Sequence, residues 1–270
     1  MKRICLCCFS PCHNVRDVVS CMGETLASLC HVPLEWFDFT LPQSRQQPLT
    51  FGPEDLVLLG CPVYAGRVPN KIMPYIRDSI RGNGAKGVAV VAFGNRSFDD
   101  ALSELRLLMT QNGFSVTAAA AVVTEHSFAP ELAHGRPDEA DRQQYADFAQ
   151  KVACKLQQGG APLTQVPGAE KPEAYYTPLK EDGTPARFLK ATPQTNLQRC
   201  THCGACAAAC PMGSVDAAHP EQTTGVCIKC QACIHVCEQG ARCFTDADFL
   251  SHRQMLRTHY IRPAQSVFCL

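Results

Sequence analysis

Eight cysteines between residues 200 and 237 hold the clearest chemistry in the chain. CTHCGACAAACP (200–211) and CIKCQACIHVCE (227–238) each set three thiols at three-residue intervals and a fourth four residues on. Cys200, Cys203, Cys206 and Cys210 recur at a constant offset of 27 residues as Cys227, Cys230, Cys233 and Cys237. Three chemistries compete for them. Disulfides are disfavoured where the compartment keeps thiols reduced. Structural zinc takes two short knuckles separated by a longer loop to build one tetrahedron. The run C-x2-C-x2-C-x3-C is instead the ligand pattern of cubane [4Fe–4S] clusters. Three thiols on one short turning loop reach three corners of a cube, so the spacing predicts two [4Fe–4S] clusters. The fourth thiol of each run lies past a further turn and is better placed for the neighbouring cube. Cys200, Cys203, Cys206 and Cys237 are therefore expected on one cluster, and Cys227, Cys230, Cys233 and Cys210 on the other.

Small residues between the thiols (Gly204, Ala205, Ala207, Ala208, Ala209, Ala232) let backbone N–H groups approach sulfur. Pro211 turns the chain away after the first run, whereas Glu238 stands at the matching place in the second. With four thiolates each oxidised cluster carries about −2. The polypeptide itself is balanced, with 25 Lys plus Arg against 25 Asp plus Glu in 270 residues. Such a chain has no electrostatic pull toward nucleic acid or an anionic membrane. The opening MKRICLCCFSP has too short an apolar run for a signal peptide, and no stretch reaches the roughly 18–20 apolar residues of a membrane helix. A cytoplasmic protein is expected, with neither nucleic acid nor membrane as partner.

The elements that must carry this chemistry read as an α/β domain in front of the cysteines. Continuous apolar runs at 3–9, 55–61, 87–93 and 114–123, with an edge-like segment at 33–39, predict five strands. Helical stretches at 14–30, 70–81, 99–112 and 138–157 alternate with them. This alternation predicts a doubly wound parallel sheet in the order 2-1-3-4-5, with its ligand site at the carboxyl ends of the strands. Three loops leave those ends: SPCHNV (10–15), PVYAGRVPN (62–70) and GNRSFDD (94–100). The first feeds a helix N-terminus, a place suited to phosphate. The other two could grip a flat ring, and the three together favour a flavin over three unrelated surface turns. The expected layout is a flavodoxin-like domain over 1–157, a Pro/Gly-rich linker over 158–195 with a hairpin at Asp182–Gly183, a small α+β two-cluster domain over 196–245, and a C-terminal helix and tail over 246–270.

FSPCHNV, GCPVYAGRVPNKIMPYI, AFGNRSFDDALSEL, EHSFAPELAHGRPDEAD, the two cysteine runs and the following GARCF together resemble the fused flavodoxin–ferredoxin proteins of anaerobic metabolism, sometimes called ferrodoxins. The resemblance covers nearly the whole chain. It implies FMN in the first domain, two [4Fe–4S] clusters in the second, and electron transfer between them and a redox partner protein or small-molecule acceptor. It implies that Ser10, Cys12, His13, Asn14 and Val15 contact phosphate, mostly through the main chain. Pro62, Val63 and Tyr64 would face the isoalloxazine, and Gly94, Asn95, Arg96 and Asp99 its pyrimidine edge. Arg67 or Arg96 would favour a reduced anionic flavin. The family's phosphate loop reads like S/T-x-T-G-N/x-S/T; here Cys12 replaces the threonine, His13 the glycine and Val15 the last hydroxyl. Losing two neutral hydrogen bonds weakens FMN by about 5- to 150-fold.

Other signals read as ordinary structure. Cys61 and Arg67 have the C-x5-R spacing of phosphatase loops, but Pro62 removes an N–H that such a cradle needs. Cys12 reads as a loop thiol, Cys5, Cys7, Cys8 and Cys61 as core, Trp36 as packing, and His126 as a loop histidine at the rim of the site. Two rivals to the flavin–cluster reading are a two-cluster carrier whose first domain has lost FMN and serves for docking, and a reductase with an organic substrate.

Overall fold

The computed structural model describes residues 1–270. The first half runs β1 (Arg3–Cys8), α1 (Asn14–Cys30), β2 (Leu34–Asp38), a 3-10 turn (Pro42–Arg45), β3 (Leu49–Thr50), β4 (Asp55–Pro62), α2 (Met73–Ser79), β5 (Ile80–Arg81), β6 (Lys86–Phe93), α3 (Ala101–Gln111), β7 (Ser115–Val123) and α4 (Glu139–Gln157). The second half adds β8 (Gln194–Thr195), α5 (Ala205–Ala208), α6 (Ala232–His235), β9 (Arg242–Cys243), α7 (Ala247–His259) and β10 (Val267–Cys269). No helix is long and apolar enough to cross a membrane.

The main sheet orders its strands β2-β1-β4-β6-β7-β10. The first five are parallel, in the order that the apolar runs predict for a flavodoxin-like fold. Strands buried on both faces carry apolar residues at every position, which explains the unbroken runs. One face, with Cys5, Cys7 and Leu59, packs against Ile76 of α2 and Leu102 and Leu105 of α3. The other, with Leu6, Leu58 and Val90, packs against Val18 and Val19 of α1 and Phe148 and Val152 of α4. Gly60 lets α1 lie close over β4, since a Cβ there would come within 2.7 Å of Val15 and Val19. That approach fixes the loop before α1 at the end of the sheet. Asp138 and Asp141 close a reciprocal capping box at the start of α4.

Two expectations are corrected. The sheet has six strands, not five: β10 pairs antiparallel with β7, Val267 opposite Ala121. The tail thereby covers what would otherwise be an open edge. The helix expected over 70–81 is only Met73–Ser79. Pro74 sits in its first turn, where its missing N–H costs nothing, and Ile80 turns extended to pair with Leu49 and bury its side chain.

The segment between the domains is tied down at several points. The Asp100 carboxylate accepts N–H bonds from Ala169 and Glu173, both 2.8 Å, which hold it below the usual carboxylate range. Tyr175 Oη donates to the Val68 carbonyl, and Tyr176 N–H to that of Ala65. A tight turn brings Lys180 N–H onto the Thr184 carbonyl, with Gly183 at φ 78°.

Candidate functional site: two cluster sites and an adjoining cleft

The two cysteine runs fold as near copies. Positive φ recurs at His202 and Lys229 (54° and 58°), at Gly204 and Gln231 (77° and 70°), and at Gly213 and Gly240 (59° and 54°). One-turn helices follow at α5 and α6. The Ser214 N–H donates to Cys210 Sγ and the Ala241 N–H to Cys237 Sγ, each at 3.3 Å. These turns aim backbone donors at sulfur, the arrangement thiolate ligands require.

Cys210 of the first run lies with Cys227, Cys230 and Cys233 of the second around one small cavity. Of the two crossed sets expected from the spacing, this one lines a common cavity. Arg242 lines the same cavity and draws the Cys233 thiol down against the upward push of its burial. Four soft sulfur donors, N–H groups and a cation fit a negatively charged cluster. In the other set Cys206 is buried, Cys200 and Cys237 are half-buried, and Cys203 is exposed.

Above the sheet's carboxyl ends lies a cleft with about 240 Å³ of internal space within a wider opening of about 1170 Å³. Ser10, Cys12, Asn14, Val15, Pro62, Val63, Tyr64, Gly94 and Arg96 all line it. The turn after Tyr64 is closed by mutual backbone bonds between Tyr64 and Arg67, with Ala65 and Gly66 at positive φ. Its roof comes from elsewhere: Tyr176 and Phe188 from the linker, His252 from α7, and Ile228, Lys229 and Cys230 from the second cysteine run. Cys12 Sγ donates to the Cys230 carbonyl at 2.9 Å, and burial pushes its thiol up to about 12. His235 Nε2 lies 2.8 Å from the Ser127 carbonyl, clamping the same junction.

Four residues assigned to this site by resemblance do not line it: His13, which caps α1, and Asn95, Asp99 and Arg67. Asn95 is 3% exposed and turns at φ 67° into the C-terminal tail. Its amide donates to the carbonyls of Tyr260 and Arg262 and accepts from Ala264 N–H. Asp99 is exposed, paired with Arg96, and packed against Gly66 outside the cleft. Arg67 forks onto Glu104 at 2.6 and 2.8 Å beneath Tyr175 and cannot influence the cleft as a free charge. That ion pair also explains why C-x5-R is not a phosphatase loop here, since the Cys61 thiol is buried and pushed up. Arg96 stays at the wall, its guanidinium 4.0 Å over the Tyr176 ring.

The phosphate end is thinner than the ring end. His13, at φ 65°, caps α1 without a side-chain bond. His13 N–H donates to the Ser10 carbonyl and Asn14 N–H to that of Cys12, so neither is free. Ser10 Oγ accepts from Arg16 N–H, and the Asn14 amide donates to the Glu125 carbonyl. The N–H groups of Cys12 and Val15 and the Ser10 hydroxyl proton remain for an anion. The ring end, walled by Tyr64, Gly94 and Arg96, suits a flat heteroaromatic ring. His126 stands on Gly94, where a Cβ would come within 2.6 Å of its ring.

Sequence reasoning missed the roof residues, because only the packing of the linker, α7 and the second cysteine run over the sheet brings them to the cleft. It also missed Arg242, although a signal existed: the repeat places Val215 at the equivalent position.

Residues 192–242 match the family described as a 4Fe-4S dicluster domain. Comparison with curated proteins finds no match for this chain. Among solved structures the chain is similar to rubredoxin oxygen:oxidoreductase from the anaerobe Desulfovibrio gigas (17% identity, 58% of this chain and 37% of that one, TM-score 0.42). It is also similar to a flavodoxin from the domain Archaea (16%, 58% and 99%, 0.39) and to oxidised flavodoxin 2 of Bacillus cereus (15%, 58% and 99%, 0.41). This chain spans only 37% of the first of these proteins. The eight-cysteine segment is a two-cluster 4Fe–4S domain, and the chain is an electron-transfer protein that joins it to a flavodoxin-like α/β domain.

Proposed function

We propose that the chain passes electrons between FMN bound in the cleft and its two [4Fe–4S] clusters, and from there to a redox partner protein or small acceptor. One observation carries the reading: the second cysteine run is itself a wall of the cleft, joined to the phosphate loop through Cys12 and the Cys230 carbonyl. A ring beside Tyr64 would then neighbour the cluster site of Cys210, Cys227, Cys230 and Cys233. FMN supplies conversion between two-electron and one-electron chemistry. The chain's own residues bind and shield: Tyr64 and Arg96 wall the ring, and Tyr176, Phe188 and His252 exclude water from above.

The internally bonded phosphate loop favours the second reading, a cluster carrier whose first domain serves for docking. The test is an anaerobic FMN titration of the native chain and of the variant Cys12→Thr, His13→Gly, Val15→Thr. The proposal expects native binding and about 5- to 150-fold tighter binding by the variant. Threonine at 12 keeps a donor for the Cys230 carbonyl, so the junction survives the change. If neither chain binds FMN, the docking reading holds.

A further inference from the structure

Arg242 is 3% exposed, and no carboxylate answers its charge. One terminal nitrogen donates to Thr195 Oγ1 at 2.7 Å and to the Pro220 carbonyl, both neutral acceptors. Nε and the other terminal nitrogen are buried without a partner. A buried guanidinium with free N–H groups is costly unless a negative group faces it. The one candidate on its side is the cavity it lines together with Cys210, Cys227, Cys230 and Cys233. A cluster there carries about −2 when oxidised and about −3 after one electron.

We propose that Arg242 is the counter-ion of this cluster and raises its reduction potential above that of the other. The step is the addition of one electron from a one-electron reductant, with no bond made or broken. A fixed cation in a dry site stabilises the more negative product more than the reactant. The internal repeat supplies the asymmetry. Arg242 corresponds to Val215 in the first half, and Lys229, also on this cavity, to the exposed His202. Arg199 lies near the other cluster beside Gly240, but it is exposed, where water and salt screen it. The electron would thus rest on the cluster nearer the cleft and leave by the one whose Cys203 meets solvent.

This inference rests on the crossed assignment of the clusters and not on FMN. The test uses full-length protein purified anaerobically, native and with Arg242→Gln or Arg242→Lys. Each is titrated with dithionite and followed by low-temperature paramagnetic resonance. Native protein should show two one-electron steps. In Arg242→Gln the higher step should fall by about tenfold or more in its equilibrium constant, about 59 mV per factor of ten, while the lower stays. Arg242→Lys should fall less. No movement, movement of the lower step alone, or equal movement of both overturns the proposal. Loss of iron in both variants makes the arginine structural and also overturns it. Native protein without about eight irons fails the cluster reading itself, whatever Arg242 does.

Discussion

At the scale of the residue, the cleft suppresses charge. Burial, with His252 and Arg96 nearby, holds the His126 imidazole down to about 4. Its Nδ1 accepts the Phe128 N–H at 3.4 Å, and its ring meets Phe128 edge-on. In the unfolded chain it would titrate near the ordinary 6.5. The unfolded state therefore binds the extra proton first, and stability falls as pH drops from about 6.5 toward 4. The full effect is at most about 3 kcal/mol, reduced by whatever water reaches the ring. His252, also lowered by burial, contributes to the same limb. His126→Asn keeps an acceptor for Phe128 N–H and removes one titrating group. Thermal melts between pH 7.5 and 5 should then show a shallower acid loss than in the native chain. An identical slope in both proteins would show that His126 does not stay neutral in the fold. Tyr64 is treated likewise, its hydroxyl pushed well above 10 by burial beside the cysteines.

At the scale of the element, Asn95 is the joint between the sheet and the end of the chain. Its three bonds fix Tyr260, Arg262 and Ala264, which lead into β10. Arg136, forked onto Asp141, holds the Ala264 carbonyl from the other side at 3.1 Å. Asn95→Ala leaves two carbonyls and an N–H without partners, at a cost of about 1–3 kcal/mol. Hydrogen exchange should speed up selectively over residues 262–269, with β1 and β4 unchanged. Uniform exchange across the sheet would show the tail to be held by β10 pairing alone. The inner parallel strands were legible because burial on both faces writes an apolar residue at nearly every position. β10 was not legible: VFC is three residues long, and only its pairing with Ala119–Ala121 makes it a strand. The loop positions of the cleft were readable from strand ends, but not the directions of side chains. Asn95 and Asp99 sit in the right loop and, at positive φ, turn away from the site.

At the scale of the whole molecule, the spacing predicts that each half of the two-cluster domain lends its fourth thiol to the other's cluster, and this interlock is open to direct test. Cys210 leaves its own run to line the cavity of Cys227, Cys230 and Cys233, and α5 packs beside α6 across the repeat axis. By the same repeat, Cys237 is expected with Cys200, Cys203 and Cys206. The domain is also locked to the sheet, through Arg45 on the Pro211 carbonyl as well as through Cys12. Neither cluster should therefore assemble from one run alone. Replacing Cys227, Cys230 and Cys233 by alanine in the full-length chain should leave one cluster, with the sheet and tail intact. Two further variants on that background separate the arrangements. If ligation crosses, adding Cys237→Ala removes the fourth ligand of the surviving cube, which should lose an iron to become [3Fe–4S], or fall apart. Adding Cys210→Ala should then change nothing. If each run held its own cube, the outcomes would reverse. Iron and sulfide content with the paramagnetic resonance spectrum decides between them, because a [3Fe–4S] centre is paramagnetic when oxidised and a [4Fe–4S] centre of this kind when reduced. Damage by Cys210→Ala with Cys237→Ala silent would sink the crossing, and with it the placing of Arg242 against the cluster nearest the cleft.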